Sequence, residues 1–228
     1  MTGKEILKRA FCISLFRRRD RAEGFAKRYF EATGNYARFV RGYDGTRLPV
    51  PEGWKSTPGA FGCALAHVAA WARAISDSDA TDDDPLTFFE DDAVFCDDFL
   101  AKLDRVAAIV PDDWDLLYLG GEHLSGRELP PKVADGLVKG VNVNRLHAYV
   151  VRARAFKKIF PRLVKYLADA PRRSGPTGDE TPHDYEFGRM VESGELVAYA
   201  ARPFLVGQGP FGSDTFPTSR ADSLRYWN

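Results

Sequence analysis

The chain has 228 residues, a length that fits one globular domain spanning residues 1–228. Its 32 Lys and Arg residues balance its 32 Asp and Glu residues, so no net charge attracts nucleic acid or an anionic membrane. Cys12, Cys63 and Cys96 are widely spaced in apolar sequence, which fits neither a disulfide framework nor a zinc site. No apolar run reaches the roughly 18 residues of a membrane span, and the N-terminus lacks the apolar core of a signal peptide, so we expect a cytoplasmic protein.

The first half of the chain alternates between strand and helix patterns. An apolar run at 10–16 predicts a strand, and aromatic residues at helical spacing over 17–33 predict a helix that ends before Gly34. The stretch "YARFVRGYDG" predicts a second strand, and "CALAHVAAWARAIS" predicts a helix whose apolar positions include Cys63 and His67. A short apolar run at 86–89 predicts the next strand.

The second half continues the alternation. It predicts a helix over 98–110, strands at "WDLLYLGG" and "RLHAYVVRA", and a helix in "YEFGRMVESG". Residues 170–183 are rich in Gly, Pro and charge without periodicity, and we predict that 172–182 form a lid over a bound ligand. Alternating strands and helices predict an α/β fold with a mostly parallel sheet flanked by helices on both faces.

The stretch "PLTFFEDDAVF" places three carboxylates, Glu90, Asp91 and Asp92, directly after a buried strand. Adjacent carboxylates repel one another and are costly to bury without partners, so a cation is the simplest compensation. Because side chains alternate along an extended chain, Glu90 and Asp92 should share one side, where they could bind Mg²⁺ or Mn²⁺. The alternative is a solvated turn. Gly120, at the end of "WDLLYLGG", would let the backbone approach a ligand closely.

Several blocks together resemble glycosyltransferase family 25, which includes lipooligosaccharide galactosyltransferases and the procollagen galactosyltransferase domain. The blocks are "CISLFRRRDR", "GAFGCALAH", "FFEDDAVF", "WDLLYLGG", "AYVVRARAFKK" and "RPFLVGQGPFGSD", which run in family order over about residues 10–216. The family's acidic motif matches residues 90–92, and its late Gln-x4-Ser-Asp motif matches 208–214. In two departures, Ser14 precedes Leu15 where the family has Asn, and Ala66 precedes His67 where the family has Ser.

The resemblance implies a GT-A-like fold and an inverting glycosyltransferase that moves a sugar, galactose or glucose, from a UDP-sugar to an acceptor. The implied acceptor is a glycan or glycolipid such as a lipopolysaccharide core, which is compatible with peripheral association at the inner face of a membrane. The implied cofactor is Mn²⁺ or Mg²⁺, held by Glu90 and Asp92, with His183 as a further ligand.

The resemblance also suggests roles for single residues, each with a structural alternative. Asp184 would be the general base, or else the N-cap of the following helix. Asp115 would orient donor or acceptor, or else fix the end of its strand. His183 could equally be a surface residue, and His67 a hydrogen-bonded core residue. Contacts to the nucleotide sugar are assigned to Ser14, Leu15, Arg21, His67, Asp91, Gly120, Gln208, Ser213 and Asp214.

Two rival functions fit the same elements. A nucleotidyltransferase combines a nucleotide-binding parallel sheet with metal-binding carboxylates, but "LFRRRDR" lacks the glycines of its phosphate loop. A non-catalytic sugar-nucleotide-binding domain would not need the acids at 90–92. The acceptor pocket is expected in the variable loops at 48–58 and 124–142, which do not reveal its substrate.

Overall fold

The computed structural model of the protein describes residues 1–52, 54, 56–76, 79–123, 129–169 and 183–215. The helices in these ranges are α1 (Gly3–Ile6), α2 (Arg19–Thr33), α3 (Pro58–Ile75), α4 (Phe99–Ile109), α5 (Phe156–Asp169) and α6 (Asp184–Glu192). The strands are β1 (Ala10–Ser14), β2 (Arg38–Arg41), β3 (Pro85–Glu90), β4 (Ala93–Phe95), β5 (Leu116–His123), β6 (Lys132–Ala134), β7 (Leu137–Lys139), β8 (Val143–Arg152), β9 (Ala198–Ala201) and β10 (Val206–Gln208). The predicted lid at 172–182 lies outside the described residues.

An eight-stranded sheet organises the described part of the chain, in the order β2-β1-β3-β8-β5-β9-β7-β6. Pairing of β1 with β2 and β3, and of β5 with β9, is parallel. Strands β8 and β7 run opposite to the other six, because every pair that contains one of them is antiparallel. A second, two-stranded sheet pairs β10 with β4. The predicted α/β fold with a mostly parallel sheet is therefore confirmed.

Helices cover both faces of the sheet, as its doubly buried strands require. On one face α3, α5 and α6 contribute Trp71, Leu163 and Phe187 to a core that includes Phe88. On the other face α2 and α4 pack residues such as Phe25 against Phe89. No helix within the described ranges has both the length and the apolar character needed to cross a membrane.

Strand β8 is one of the two strands that run against the rest of the sheet. The strand predicted at "RLHAYVVRA" is present, and β8 lies antiparallel between β3 and β5. Its side chains are almost all buried, and a fully buried run looks the same in either direction, so the sequence pattern does not report strand orientation. The predicted acceptor loop at 124–142 also contains structure: β6 and β7 form a hairpin at the edge of the sheet next to β9.

The start of α3 is fixed tightly against the loop that follows β2. The Thr57 side chain caps the helix by accepting the Ala60 N–H at 3.0 Å, and Pro58 occupies the first turn, where its missing N–H costs nothing. Gly45 permits this contact, since a Cβ there would lie 1.6 Å from the Pro58 carbonyl oxygen. This docking sets the depth and rotation of α3, and therefore the positions of Cys63 and His67 near the sheet.

Candidate functional site

The acidic motif lies where β3 ends. Glu90 is the last residue of β3, and Asp91 and Asp92 form the turn into β4. Pairing of β10 with β4 places Gln208 opposite Ala93, and its amide Nε2 donates to Glu90 Oε2 and to Asp92 Oδ2, both at 3.4 Å. The Glu90 and Asp92 carboxylates therefore converge on one point, as predicted for a shared cation.

Arg21 is the cation that the protein itself supplies to this motif. Its guanidinium, buried at the start of α2, pairs with Asp91 and lies 3.1 Å from Asp92 Oδ2. Asp91 also accepts the Ser14 hydroxyl at 2.7 Å, so the last residue of β1 orients it. The solvated-turn alternative is ruled out, because Asp91 and Asp92 are 4% and 8% exposed.

The three carboxylates do not titrate alike. Burial, reinforced by the neighbouring charge of Glu90, raises the pKa of Asp92 above its usual value despite the attraction of Arg21. Burial also raises the pKa of Asp91, against the pull of Arg21 and Ser14. For Glu90, burial acts in the same direction but is outweighed by the hydrogen bond and charge of His67, with smaller contributions from His147 and Arg21, so its pKa is lowered. A further positive charge beside Asp92 would therefore stabilise its ionised form.

A hard divalent cation fits this environment. The Asp92 Oδ1 atom is buried and accepts no hydrogen bond from any described residue. Leaving such an acceptor unpaired costs about 1–3 kcal/mol, a cost that a bound cation would remove. Carboxylate oxygens are the ligands that Mg²⁺ and Mn²⁺ prefer, and Glu90 Oε2 and Asp92 would supply them.

The late motif packs over the end of β1. Asp214 pairs with Arg17 at 2.7 Å, Arg18 at 2.8 Å and Arg21 at 3.4 Å. The structure thus brings Gln208 and Ser14 to the acidic motif directly and Asp214 to it through Arg21, while Ser213 and the half-buried Leu15 are the chain neighbours of Asp214 and Ser14. The arginines that follow β1 therefore form an ion-pair network with Asp214.

His67 is both a core residue and a neighbour of the motif. The Tyr149 hydroxyl accepts the Trp71 indole N–H at 2.7 Å and lies 2.8 Å from His67 Nδ1. The Tyr149 hydroxyl proton is therefore free to go to Nδ1, which leaves His67 Nε2 to donate to Glu90 Oε1 at 3.3 Å. His67 is therefore a hydrogen-bonded core residue, as one of its two interpretations predicted, and it also contacts the acidic motif.

Asp184 is buried at the first position of α6. Its Oδ2 accepts the backbone N–H of Arg145 at 2.8 Å, and its Oδ1 accepts that of Tyr185 at 3.1 Å. Arg145 has φ +73°, a left-handed conformation that these contacts help to hold. Burial raises the pKa of Asp184, against these two hydrogen bonds, which is the direction a general base needs. The cap residue of α6 is His183 rather than Asp184.

Asp115 lies at the wrong end of the sheet to act at this motif. It precedes β5, whose first residue Leu116 is level with Leu86, because both pair with Val151. Leu86 is four residues before Glu90, or about 13 Å along the strand at roughly 3.3 Å per residue. Asp115 instead accepts bonds from Lys158, Arg154 and the Val197 N–H. Its role is therefore to fix the strand end, not to orient substrate.

Replacing Asp115 with asparagine should lower the free energy of unfolding by about 1–3 kcal/mol, because Lys158, Arg154 and the Val197 N–H lose a buried, charged acceptor. Sugar transfer per folded molecule should not change. Chemical denaturation checks the first effect, with Asp112→Asn, an exposed neighbour, as the control expected to stay within roughly 0.5 kcal/mol of the wild type. A loss of transfer in folded Asp115→Asn protein would return Asp115 to the site.

Gly120 also needs correction as a ligand-contacting residue. A Cβ at this position would lie 2.4 Å from His147 Nε2 and 2.5 Å from the Val206 carbonyl oxygen. His147 Nε2 is itself 3.1 Å from that same carbonyl. The space that glycine leaves is filled by protein, so Gly120 serves the packing of β10 against β5 and does not admit a ligand.

Sequence reasoning missed Cys63 as a site residue. Its thiol donates to Glu90 Oε1 at 3.7 Å, and its sulfur lies within 4.8 Å of ligand atoms of His67 and His183. The i, i+4 spacing of Cys63 and His67 on a predicted helix was a usable signal, because residues four apart share a helix face. Arg145 was also missed, and nothing in the local sequence marks its left-handed backbone.

Comparisons with known proteins give distant matches. A scan against protein-family models finds no match, and neither does a search of curated protein sequences. Among solved structures, the chain is similar to a glycosyltransferase involved in the glycosylation of the major capsid of PBCV-1, with TM-score 0.42 and 10% identity over 85% of this chain and 92% of that one. It is also similar to a protein of Bacillus anthracis described as a glucose-1-phosphate thymidylyltransferase in complex with a sucrose, with TM-score 0.37 and 10% identity over 83% of this chain and 66% of that one. Similarities this distant assign no function.

Proposed function

We propose that the protein is a GT-A-like, inverting, metal-dependent glycosyltransferase of the family 25 type, acting on a UDP-sugar donor. The observation that carries the proposal is the convergence of Glu90, Asp92 and Gln208, with the buried Asp92 Oδ1 left unpaired by the described residues. This cluster lies at the carboxyl end of β3 beside that of β1, which is where open α/β sheets bind ligands.

The residues around the cluster suit a diphosphate. Arg17, Arg18 and Arg21 stand together after β1, held by Asp214, and could turn toward donor phosphates. When bound, Mn²⁺ or Mg²⁺ would neutralise the charge that develops on the leaving diphosphate. The Ser14 hydroxyl orients the Asp91 carboxylate. Asp91 in turn holds the Arg21 guanidinium in place.

Inversion requires a base opposite the leaving group, and Asp184 remains our candidate. It must accept the proton of the acceptor hydroxyl as that oxygen attacks the anomeric carbon. Its burial, and the raised pKa that follows, support this role. The acceptor is proposed to be a glycan or glycolipid such as a lipopolysaccharide core, met from the cytoplasmic side of a membrane.

A donor screen tests the proposal. The protein is incubated with a panel of nucleotide sugars and Mn²⁺, and nucleotide release is measured with and without EDTA. We expect EDTA-sensitive release of UDP from UDP-galactose or UDP-glucose. Pyrophosphate release from a nucleoside triphosphate and a sugar phosphate would instead indicate a nucleotidyltransferase. Tight donor binding with no release, even in the presence of glycan acceptors, would indicate a non-catalytic binding domain.

A further inference from the structure

A second cluster of metal-ligand residues adjoins the acidic motif. Cys63 and His67, four residues apart on α3, lie with His183, the cap residue of α6, so that one ligand atom from each is within 4.8 Å of the other two. The His67 and His183 rings have their centroids 4.9 Å apart. His67 is fully buried and His183 is 7% exposed. Two helices from distant parts of the sequence thus direct a thiol and two imidazoles to one point.

The His183 ring provides the independent sign of a missing ligand. Its Nε2 atom is buried and has no hydrogen-bond partner among the described residues. A buried imidazole nitrogen left unpaired is unfavourable, and a metal ion would bind its lone pair.

From this geometry we propose that Cys63, His67 and His183 bind a zinc-like transition metal at a site separate from the Mn²⁺ or Mg²⁺ site of Glu90 and Asp92. A thiolate with two imidazoles is a soft, nitrogen-rich donor set that Zn²⁺ favours and that Mg²⁺ and Mn²⁺ do not. Binding displaces the Cys63 thiol proton to solvent, because the thiolate is the ligand.

Glu90 borders this cluster and is the candidate for a fourth ligand. Its Oε1 lies 3.3 Å from His67 Nε2 and 3.7 Å from Cys63 Sγ. In a tetrahedron with bonds of about 2.0–2.3 Å, neighbouring ligand atoms are roughly 3.3–3.8 Å apart, so these two distances suit a shared metal, and Oε1 would have to move toward His183 to complete the tetrahedron. Its other oxygen, Oε2, faces Gln208 and Asp92. The two oxygens of Glu90 thus face two different metal sites.

The surroundings of His67 favour coordination through Nε2. When Nε2 binds a metal, the ring proton moves to Nδ1, 2.8 Å from the Tyr149 hydroxyl, which can accept it. Outer hydrogen bonds of this kind orient metal-bound histidines. The metal would also tie α6 to α3, and so hold Asp184, the residue next to His183. The sequence excluded a zinc site because its cysteines are far apart, but only one cysteine is needed here.

Cobalt binding tests the inference without any donor or acceptor. Co²⁺ added to the metal-free protein should give thiolate-to-cobalt charge-transfer absorption and tetrahedral d–d bands, both removed by Zn²⁺ but not by millimolar Mn²⁺. Cys63→Ala should abolish the charge-transfer band. His183→Gln, at the edge of the core, should weaken Co²⁺ binding at least roughly tenfold, since even outer-sphere losses cost that much.

Two further variants keep the result interpretable. Cys96→Ser, which alters a cysteine outside the cluster, should leave the spectrum unchanged. Asp92→Asn should also keep the cobalt spectrum while donor turnover is lost, so failure here and failure of the proposed glycosyltransferase activity can be told apart. Absence of a thiolate band in wild-type protein, or its equal loss in Cys96→Ser, would overturn the zinc-like site. If Cys63→Ala does not fold, the His183→Gln titration decides.

Discussion

Replacing Asp92 with asparagine should lower sugar transfer by a hundredfold or more while leaving the protein folded. Asparagine keeps the size and polarity of the side chain but removes the charge that would hold the cation at the leaving diphosphate, a loss of several kcal/mol. Isothermal calorimetry should show UDP binding to wild-type protein with Mn²⁺ but not with EDTA. In Asp92→Asn, UDP binding should be weak under both conditions.

The same substitution should not destabilise the metal-free protein. Arg21 keeps its contacts with Asp91 and Asp214, and the repulsion between Glu90 and Asp92 disappears. We therefore expect the free energy of unfolding to stay the same or to rise by roughly 1 kcal/mol, as is common where a site sacrifices stability for function.

Asp82→Asn is the matched control for this prediction. Asp82 lies in the loop before β3, and its exposed carboxylate pairs with the exposed Lys157, a contact worth at most about 1 kcal/mol. Transfer and UDP binding should be those of the wild type. If UDP binds equally well in EDTA, or if Asp82→Asn and Asp92→Asn behave alike, Glu90 and Asp92 do not hold the metal.

Asp184→Asn should also reduce transfer by about a hundredfold or more, because the amide cannot accept the proton of the acceptor hydroxyl. The structure also predicts that this substitution destabilises the protein. Both Asp184 oxygens accept backbone N–H groups, and an amide can satisfy only one of them while its NH₂ faces the other. The free energy of unfolding should therefore fall by about 1–3 kcal/mol. Donor binding by the folded variant should hardly change.

Asp115→Asn separates the two effects of this substitution. Like Asp184, Asp115 is a buried carboxylate that accepts a backbone N–H, but it lies at the opposite end of the sheet. Both variants should lose similar stability, and only Asp184→Asn should lose transfer when rates are expressed per folded molecule. Near wild-type transfer by folded Asp184→Asn would show that Asp184 only positions Arg145 and the start of α6.

Local patterns were enough to predict most of the elements. The apolar run before Glu90 predicted β3, and the spacing of aromatic residues predicted α2. Both signals lie within a short stretch of sequence, where the period of the apolar residues distinguishes a strand from a helix. The convergence of Glu90 and Asp92 was also predictable. The two residues are two positions apart at the end of a strand, so their side chains lie on the same side of the chain. Arg21 followed from the family resemblance, and the structure supplies the contacts that explain it.

Other features depend on contacts between distant segments, which no local pattern reports. The antiparallel direction of β8 is set by its partners, β3 and β5, which lie on either side of it. The packing of His147 into the space at Gly120 likewise requires β8 and β10 to meet. Cys63 and His183 lie 120 residues apart in the chain. No local spacing therefore shows that they meet.

The place of β8 in the sheet has a consequence for synthesis of the chain. Within the described residues, β8 alone joins the half β2-β1-β3 to the half β5-β9-β7-β6. Until Arg152 has left the ribosome, the facing edges of β3 and β5 have no partner, and such edges readily pair with other chains. Gln208 and Asp214 emerge later still. The nascent chain therefore exposes the unpaired edges of β3 and β5 before Gln208 and Asp214 complete the charged site. We expect chaperone contact to matter most while the middle third of the chain is being translated.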